Sequence, residues 1–490
     1  MGKRSLLGCV PLLAFAVVIS GQQFDEILVH TGPAKFTIEA ANGEEFKLGG
    51  FSGMAPAFTH GQNRYFHILT DRGPNLDILE YVRIDENGNR VYLDAQGNET
   101  TDITMSPVAA KGFAAPHFGP AILLVKVPRT GRAKILGVTP LRKPNGEIVS
   151  GLPNFYVDPL ADPPVTEEGP VLDVAGAPLD LDPDGLDTEG LAVGPHGIFW
   201  VSEEYSSICA VLPNGTVVLR LVPKGYGPGE DIPTIDPLPA VFRKRIPNRG
   251  LEGITLLSPR VILSSFQRPL ANPNRATSEA SSNIRLVRID IPKLLAGDAG
   301  AIRQFIYRTD GAPNRSTYIS DLFALSSTEF LASERRTNKV FRVSLEGATD
   351  ITSLEDESGL LLTPVEYDYE TTTGTVHVTR TTIEQLLLVG PDGITNELAL
   401  AGITPVSKRA VLDLSGIVAQ DANNGKFEGL CVVGDEIFIV PDNDFDLVNG
   451  LRLKAETGAP LNPAEIQFFE PPNYSRIFRI RDVDLTPPTP

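Results

Sequence analysis

Several stretches of this chain set a carboxylate directly before a glycine, then two short apolar runs, then a polar cluster. Glu189-Gly190-Leu191 leads to Trp200-Val201-Ser202-Glu203-Glu204. Glu252-Gly253-Ile254 leads to Phe266-Gln267-Arg268, and Glu428-Gly429-Leu430 leads to Pro441-Asp442-Asn443-Asp444. Carboxylates gathered at one place repel and stay ionised only beside a cation or a basic partner. Their oxygens suit a hard divalent ion, calcium most simply. We therefore take Glu189, Glu252, Glu428, Asp442 and Asp444 as candidate metal ligands. The same polar tier carries Arg72, Arg268 and Arg335. Guanidinium groups grip oxyanions in a bidentate fork. Acids and arginines at one level are what metal-assisted ester cleavage uses, phosphate esters above all. On that reading Glu189, Glu252, Arg72, Arg268 and Arg335 carry the catalysis and water is the nucleophile. A plainer use stands beside it at about even weight. Each glutamate can hold backbone N–H groups of a neighbouring unit, and the mixed tier can be salt bridges between units.

These residues need elements to position them, and the recurrence of the phrase indicates which. A variant, Phe51-Ser52-Gly53 with Thr70-Asp71-Arg72, comes first. The glycines at 53, 190, 253 and 429 are separated by 137, 63 and 176 positions. A unit of roughly 60–70 residues divides these into about two, one and three steps. That predicts about seven units, with six the alternative count, and further unit starts near 116, 316 and 379. Strand-like runs dominate, among them Ile122–Val127, Val217–Leu221 and Arg476–Ile480, and no long amphipathic helix is evident. The 45 glycines and 41 prolines suit many turns. We expect an all-β fold: one β-propeller of four-stranded blades, closed by strands from the two ends of the chain. Two separate β domains are the alternative.

Outside that ring the sequence suggests three more segments. Lys3 and Arg4 precede the apolar run Leu6–Ile19 and the small residues Ser20-Gly21. This is the pattern of a signal peptide over residues 1–21, with a membrane anchor the alternative. The domain then spans 22–484, with the Pro- and Asp-rich stretch 154–178 a linker or insertion, and 485–490 a disordered tail. Secretion, no membrane span after signal removal, and a monomer are expected. Cys209 and Cys431 are either a disulfide or two buried thiols. Sequons at Asn98, Asn214, Asn314 and Asn473 are compatible with a glycoprotein. The net charge of −18 argues against a nucleic-acid partner. The six histidines lack zinc spacing, and neither a G-x-S-x-G elbow nor a nucleotide-binding glycine loop is present. The run Asp442-Asn443-Asp444-Phe445-Asp446 resembles a calcium loop without the EF-hand pattern, and Asp180–Asp187 is likewise acidic and turn-like, as an ordinary solvated loop also would be.

The combination of Gly50-Phe51-Ser52-Gly53 with Thr70-Asp71-Arg72-Gly73-Pro74-Asn75, Asp187-Thr188-Glu189-Gly190 with Ser202-Glu203-Glu204-Tyr205, Asn248-Arg249-Gly250-Leu251-Glu252-Gly253, Ser333-Glu334-Arg335, and Phe427-Glu428-Gly429 with Pro441-Asp442-Asn443-Asp444 resembles the phytase-like family. This family is also called esterase-like activity of phytase. The resemblance runs from about Phe51 to Ile480. It implies a secreted or periplasmic β-propeller and hydrolysis of phosphate or other esters. It supplies no catalytic assignment, so the residues above rest on their own chemistry. A non-catalytic extracellular binding platform and a lactonase-type metal hydrolase are the other readings.

Overall fold

The protein is described by a computed structural model covering residues 17–19, 22–30, 37–39, 45–84, 87–93, 99–101, 110–154, 171–173, 177–227, 229–310, 318–418, 425–447, 451–455 and 474–485. The start of the expected signal and its cleavage position, most of the 154–178 stretch, Asn98, Asn314, Asn473 and most of the tail lie outside the described residues. Strands dominate as expected. The longest helix among the described residues has six residues, Arg275–Ala280. No described helix is long and apolar enough to cross a membrane.

Among the described residues, five units are built around an inner strand that carries the phrase or a variant of it; each has four antiparallel strands, and the second adds a fifth, Thr234–Leu238, in parallel. The first is Phe51–His60, Asn63–Thr70, Ala121–Val127 and Ala133–Pro140. The second starts at Thr188–Val193 and the third at Leu251–Ser258. The fourth runs Tyr318–Ala324, Glu329–Arg335, Lys339–Ser344 and Ser407–Asp413. The fifth takes Phe427–Val433, Glu436–Pro441 and Arg476–Arg481, then Gln22–His30 from the other end of the chain. The pairing of Gln23–Leu28 with Arg476–Arg481 is the predicted union of the two ends. The outer strands of the first and fifth units also pair in parallel, Val29 and His30 against Ala133 and Lys134. Large apolar side chains such as Phe66, Phe266, Phe330 and Phe438, all fully buried, fill the spaces between sheets.

The glycines show how the five sheets close. A Cβ on Gly53 would lie 2.8 Å from Leu191 N of the second unit. One on Gly190 would strike Glu252 O of the third, and one on Gly253 would lie 2.7 Å from Leu322 N of the fourth. In the fourth unit Asp321 takes that place, and Leu430 N of the fifth donates to its carboxylate at 2.7 Å. A Cβ on Gly429 would lie 3.1 Å from Met54 N of the first. Each inner strand thus abuts the next, and the series returns to its start, a β-propeller-like ring. The phrase requires glycine because backbone occupies the space a side chain would need.

Among the described residues five units form the ring, where the sequence led us to expect about seven, or six. The start near 316 is real, Tyr318–Ala324. The one near 116 is not, because Ala121–Val127 is the third strand of the first unit. The one near 379 is the hairpin Val365–Thr371 with Gly374–Arg380, inserted into the fourth unit. The long first interval holds a separate sheet, in which Asn75–Ile84 pairs with Ala110–Phe113, Arg90–Leu93 and Leu451–Ala455. Val171–Asp173, from the expected insertion, joins that sheet. Dividing intervals by a constant period counted such insertions as blades.

The glycine argument predicts a contrast. Gly253→Ala should destabilise by about 1–3 kcal/mol through overpacking. Gly137→Ala, whose Cβ meets nothing within 4 Å, should stay within about 0.5 kcal/mol of the unaltered protein. Thermal or denaturant unfolding reads both, and equal effects would refute the close-approach explanation.

Candidate functional site

Each inner strand is irregular at the same point. The register slips between Phe51 and Gly53, Thr188 and Gly190, Leu251 and Ile254, Ile319 and Asp321, and Phe427 and Gly429. The skipped residues include Ser52, Glu189, Glu252, Ser320 and Glu428. A bulge re-aims the side chain it carries. Four of these, Ser52, Glu189, Glu252 and Glu428, line a cavity of about 380 Å³ at that end of the channel. The residues just past the second strands, Asp71, Arg72, Glu204, Gln267, Arg335, Asp442 and Asp444, line it too. The two tiers of the sequence phrase meet there.

The carboxylates fall into two groups. In one, oxygens of Asp71, Asp187 and Glu189 lie within 4.8 Å of one another, and so do oxygens of Glu189, Glu204 and Glu252. Glu189 belongs to both triads. Glu252 is 1% exposed. Its Oε1 accepts from Gln267 Nε2 at 2.6 Å, while its Oε2 is buried and has no hydrogen-bond partner. Burial and the nearby acids Glu428 and Glu204 push the Glu252 carboxyl well above its ordinary range. Burial, then Glu252 and Glu204, does the same to Glu189. Burial, then Asp187 and Asp442, does so to Asp71. Crowded oxygen donors with an orphaned buried oxygen are a ligand set for a hard cation. Either triad can hold one.

The second group is already compensated. Arg335 Nη1 stands 2.6 Å from Glu428 Oε1. Lys426 Nζ stands 2.8 Å from Asp442 Oδ2 and 2.5 Å from Asp444 Oδ1. The predicted ligands Glu428, Asp442 and Asp444 therefore reach the cavity, but the structure sets basic side chains against them. The expected calcium loop Asp442–Asp446 acts as a clasp. Asn443 Oδ1 accepts from Gly50 N at 2.8 Å, and buried Phe445 packs where a Cβ on Gly50 would sit. In the Asp180–Asp187 run, Lys143 Nζ lies 3.5 Å from Asp182, 3.9 Å from Asp184 and 3.1 Å from Asp231, a built-in cation again.

The arginines also divide. Arg72 faces the cavity, but its Nη1 is 3.0 Å from Asp187 Oδ2 and its Nη2 donates to Asn248 Oδ1 at 3.2 Å. It orients a triad member. Arg268 and Arg335 meet around Tyr318, where Arg335 reaches the cavity and Arg268, against expectation, does not line it. The guanidinium carbons of Arg249, Arg268, Arg335 and Arg336 lie 5.5, 5.4, 5.6 and 5.3 Å from that ring. Arg268 Nε is buried without a hydrogen bond. Burial lowers the Arg268 pKa, and Arg249 adds like-charge repulsion. Arg249 and Arg335 line the cavity. This is a concentration of positive charge beside the acidic triads, suited to an oxyanion.

Other sequence expectations resolve plainly. Glu203 holds Tyr205 N at 2.9 Å, and Glu334 accepts from Tyr307 Oη at 3.0 Å and Lys408 Nζ at 2.8 Å, so both buttress sheets. Cys209 and Cys431 are free and buried, with no disulfide between them. Burial pushes the Cys209 thiol up to about 11. His67 packs edge-on against Phe199 at 4.9 Å. Sequence reasoning omitted Asp71, Asp187 and Glu204 as ligands and gave Lys426 no role. Their signal was position: three follow a second strand or precede an inner one, as the chosen residues do.

The raised Glu252 pKa carries a sign. A group whose folded pKa exceeds its ordinary 4.5 favours folding below that pH and ceases to as pH rises through the folded value. Glutamine keeps the neutral form. In chelator, Glu252→Gln should melt above the unaltered protein at pH 8, the gap closing as the pH falls toward 4.5. A variant that melts lower at pH 8 would mean the charge is compensated without a cation.

No relative was found among curated proteins. Among solved structures, a catalytically inactive virginiamycin B lyase of Staphylococcus aureus aligns at 10% identity and TM-score 0.29, over 94% of this chain and 99% of its own. The Mala s 1 allergen of Malassezia sympodialis aligns at 10% and 0.22, over 81% and 87%. An exo-β-1,3-galactanase of Phanerochaete chrysosporium aligns at 8% and 0.28, over 90% and 62%. Scores this low say nothing about activity. The sequence evidence is stronger: the phytase-like family, described as esterase-like activity of phytase, matches residues 47–445, most of the chain and both tiers of the cavity. The chain belongs to the phytase-like family.

Proposed function

We propose that this protein is a secreted, monomeric, cation-assisted ester hydrolase acting on phosphomonoesters. The observation that carries this reading is the pair of triads sharing Glu189 with the orphaned Glu252 oxygen beside them. Asp71, Asp187, Glu189, Glu204 and Glu252 would hold the ion, calcium by the all-oxygen donor set. When bound, such an ion polarises the ester and makes a nearby water more acidic. Arg72 fixes Asp187. Gln267 fixes one oxygen of Glu252, leaving the other to complete the ligand set. Arg249 and Arg335 face the cavity to receive the anion, with Arg268 and Arg336 behind them.

The binding-platform reading makes the glutamates structural ties. Asp321 shows what a tie looks like here: its carboxylate accepts from Leu322 N at 2.8 Å and Leu430 N at 2.7 Å. Glu252 Oε2 accepts from nothing. A lactonase would have less use for four clustered guanidiniums than a phosphatase does.

Chelator should abolish phosphate release from p-nitrophenyl phosphate and sugar phosphates, and calcium should restore it. Glu189→Gln should lower kcat/KM about 100-fold. Turnover of lactones or carboxylic esters alone would replace the phosphate reading. Absence of any turnover, with the glutamine variants merely less stable, would favour the binding platform.

A further inference from the structure

Tyr318 stands outside the two acidic triads, yet four guanidiniums converge on its ring. It opens the inner strand Tyr318–Ala324 of the fourth unit and is 8% exposed. Arg249 precedes the third inner strand, and Arg268 follows the strand Val261–Phe266. Arg335 is the register partner of Tyr318 on the neighbouring strand. Arg336 comes next, and the alternation of a strand would turn it the other way. Its φ of +72° breaks that alternation, and a second guanidinium reaches the same ring. Ile319 N donates to Gln267 O at 3.1 Å, which ties the third unit to the fourth at this level. Two units therefore supply two arginines each to one tyrosine.

Like charges held this close repel. Among the described residues, Glu428 is the one carboxylate that ion-pairs with any of the four, through Arg335. The other three have the ring as their shared attraction, and an aromatic quadrupole draws cations in without cancelling their charge. We infer that Tyr318 is a positioning residue whose ring holds Arg249, Arg268, Arg335 and Arg336 together as one site for a phosphate dianion, free or at the end of an ester, and that this site fills without the cation. The inference deepens the hydrolase reading and rests on it for the choice of phosphate among oxyanions. A ring contact consumes no N–H, so the guanidinium forks remain available to the anion's oxygens. Arg249 and Arg335 reach the cavity and would touch those oxygens, while Arg268, outside the lining, adds positive potential behind them. All of the attracting charge belongs to the chain, so the anion needs no metal to bind.

The test is isothermal titration of the full chain in chelator, with inorganic phosphate and, separately, phenylphosphonate as a stable stand-in for an ester. The unaltered chain should bind about one phosphate. Tighter binding of phenylphosphonate assigns the site to the substrate, and tighter binding of phosphate assigns it to the released product. Tyr318→Leu should weaken phosphate about ten-fold, while Tyr318→Phe, which keeps the ring face, should stay within about two-fold. With calcium present, Tyr318→Leu should raise KM for p-nitrophenyl phosphate more than it lowers kcat, a split that general loosening would not give. Arg336→Gln, at an exposed position, should weaken phosphate as well. No phosphate binding in chelator, or equal binding by the unaltered chain and Tyr318→Leu, would overturn the inference while calcium-dependent ester turnover kept the hydrolase reading. Tyr318-dependent phosphate binding by a chain that turns over no ester would keep the inference and sink that reading. Should Tyr318→Leu not fold, a ring-fluorinated phenylalanine at 318 decides, because it keeps the shape and drains the ring face. Phosphate affinity equal to that of Tyr318→Phe would then overturn the inference, and weaker affinity would support it.

Discussion

The constraint on which the rest depends is a distance too short for a side chain. Consecutive inner strands approach so closely that glycine, or the one aspartate that bonds across the gap, must stand at the crossing. A strand pressed so tightly against its neighbour cannot stay regular, and it bulges by one residue on the channel side. The bulged residue loses a place in the sheet and gains the channel. The same steric demand that closes the ring thus delivers the carboxylates to its axis. Ring and site share one cause, which is why the acid and the glycine are adjacent in sequence.

Electrostatics then sorts what geometry has gathered. Among the described residues, nine carboxylates and five basic side chains line the cavity. That imbalance is unstable without help, since each added buried charge raises the cost of its neighbours. The basic groups are not spread evenly. Four of the five are fixed to Glu428, Asp442, Asp444, Asp187 and Asp77, which concentrates the unmet charge around Glu189, Glu204, Glu252 and Asp71. The arginine group at Tyr318 supplies the opposite field nearby. A small molecule entering the cavity meets both signs, an arrangement suited to an ester with one anionic end.

Much of this was readable from residues. The repeat revealed an all-β ring, because Glu-Gly followed by two apolar runs encodes a crossing and a hairpin wherever it occurs. It also placed Glu189, Glu252 and Glu428 at one level. The number of blades was not readable, because insertions such as Val365–Arg380 and the sheet around Asn75–Ile84 lengthen intervals without adding to the ring. Nor was the division of the acids. Lys426 sits two residues before Glu428, yet its ion-pair partners are Asp442 and Asp444, which only the return of the second strand brings to it. Arg72 looked like a substrate-binding arginine because its partner Asp187 lies more than a hundred positions away. Long-range pairing decides such cases, and a local pattern does not contain it.

The fifth sheet has one more consequence. Its outermost strand is Gln22–His30, and that strand's partner is Arg476–Arg481. During synthesis the first of these strands must wait for nearly the whole chain before its partner exists. Loop closure over that length is slow, and until it happens the early strand offers bare edges to other chains. Asp25 and Glu26 on that strand, later matched by Arg479, Arg481 and Arg476, keep a charge on the unpaired edge during the wait. The ion pairs of Asp25 with Arg479 and Arg481, and of Glu26 with Arg476, thus fall on the register that closes the ring, so the joint between the two ends of the chain is specified by charge as well as by backbone pairing.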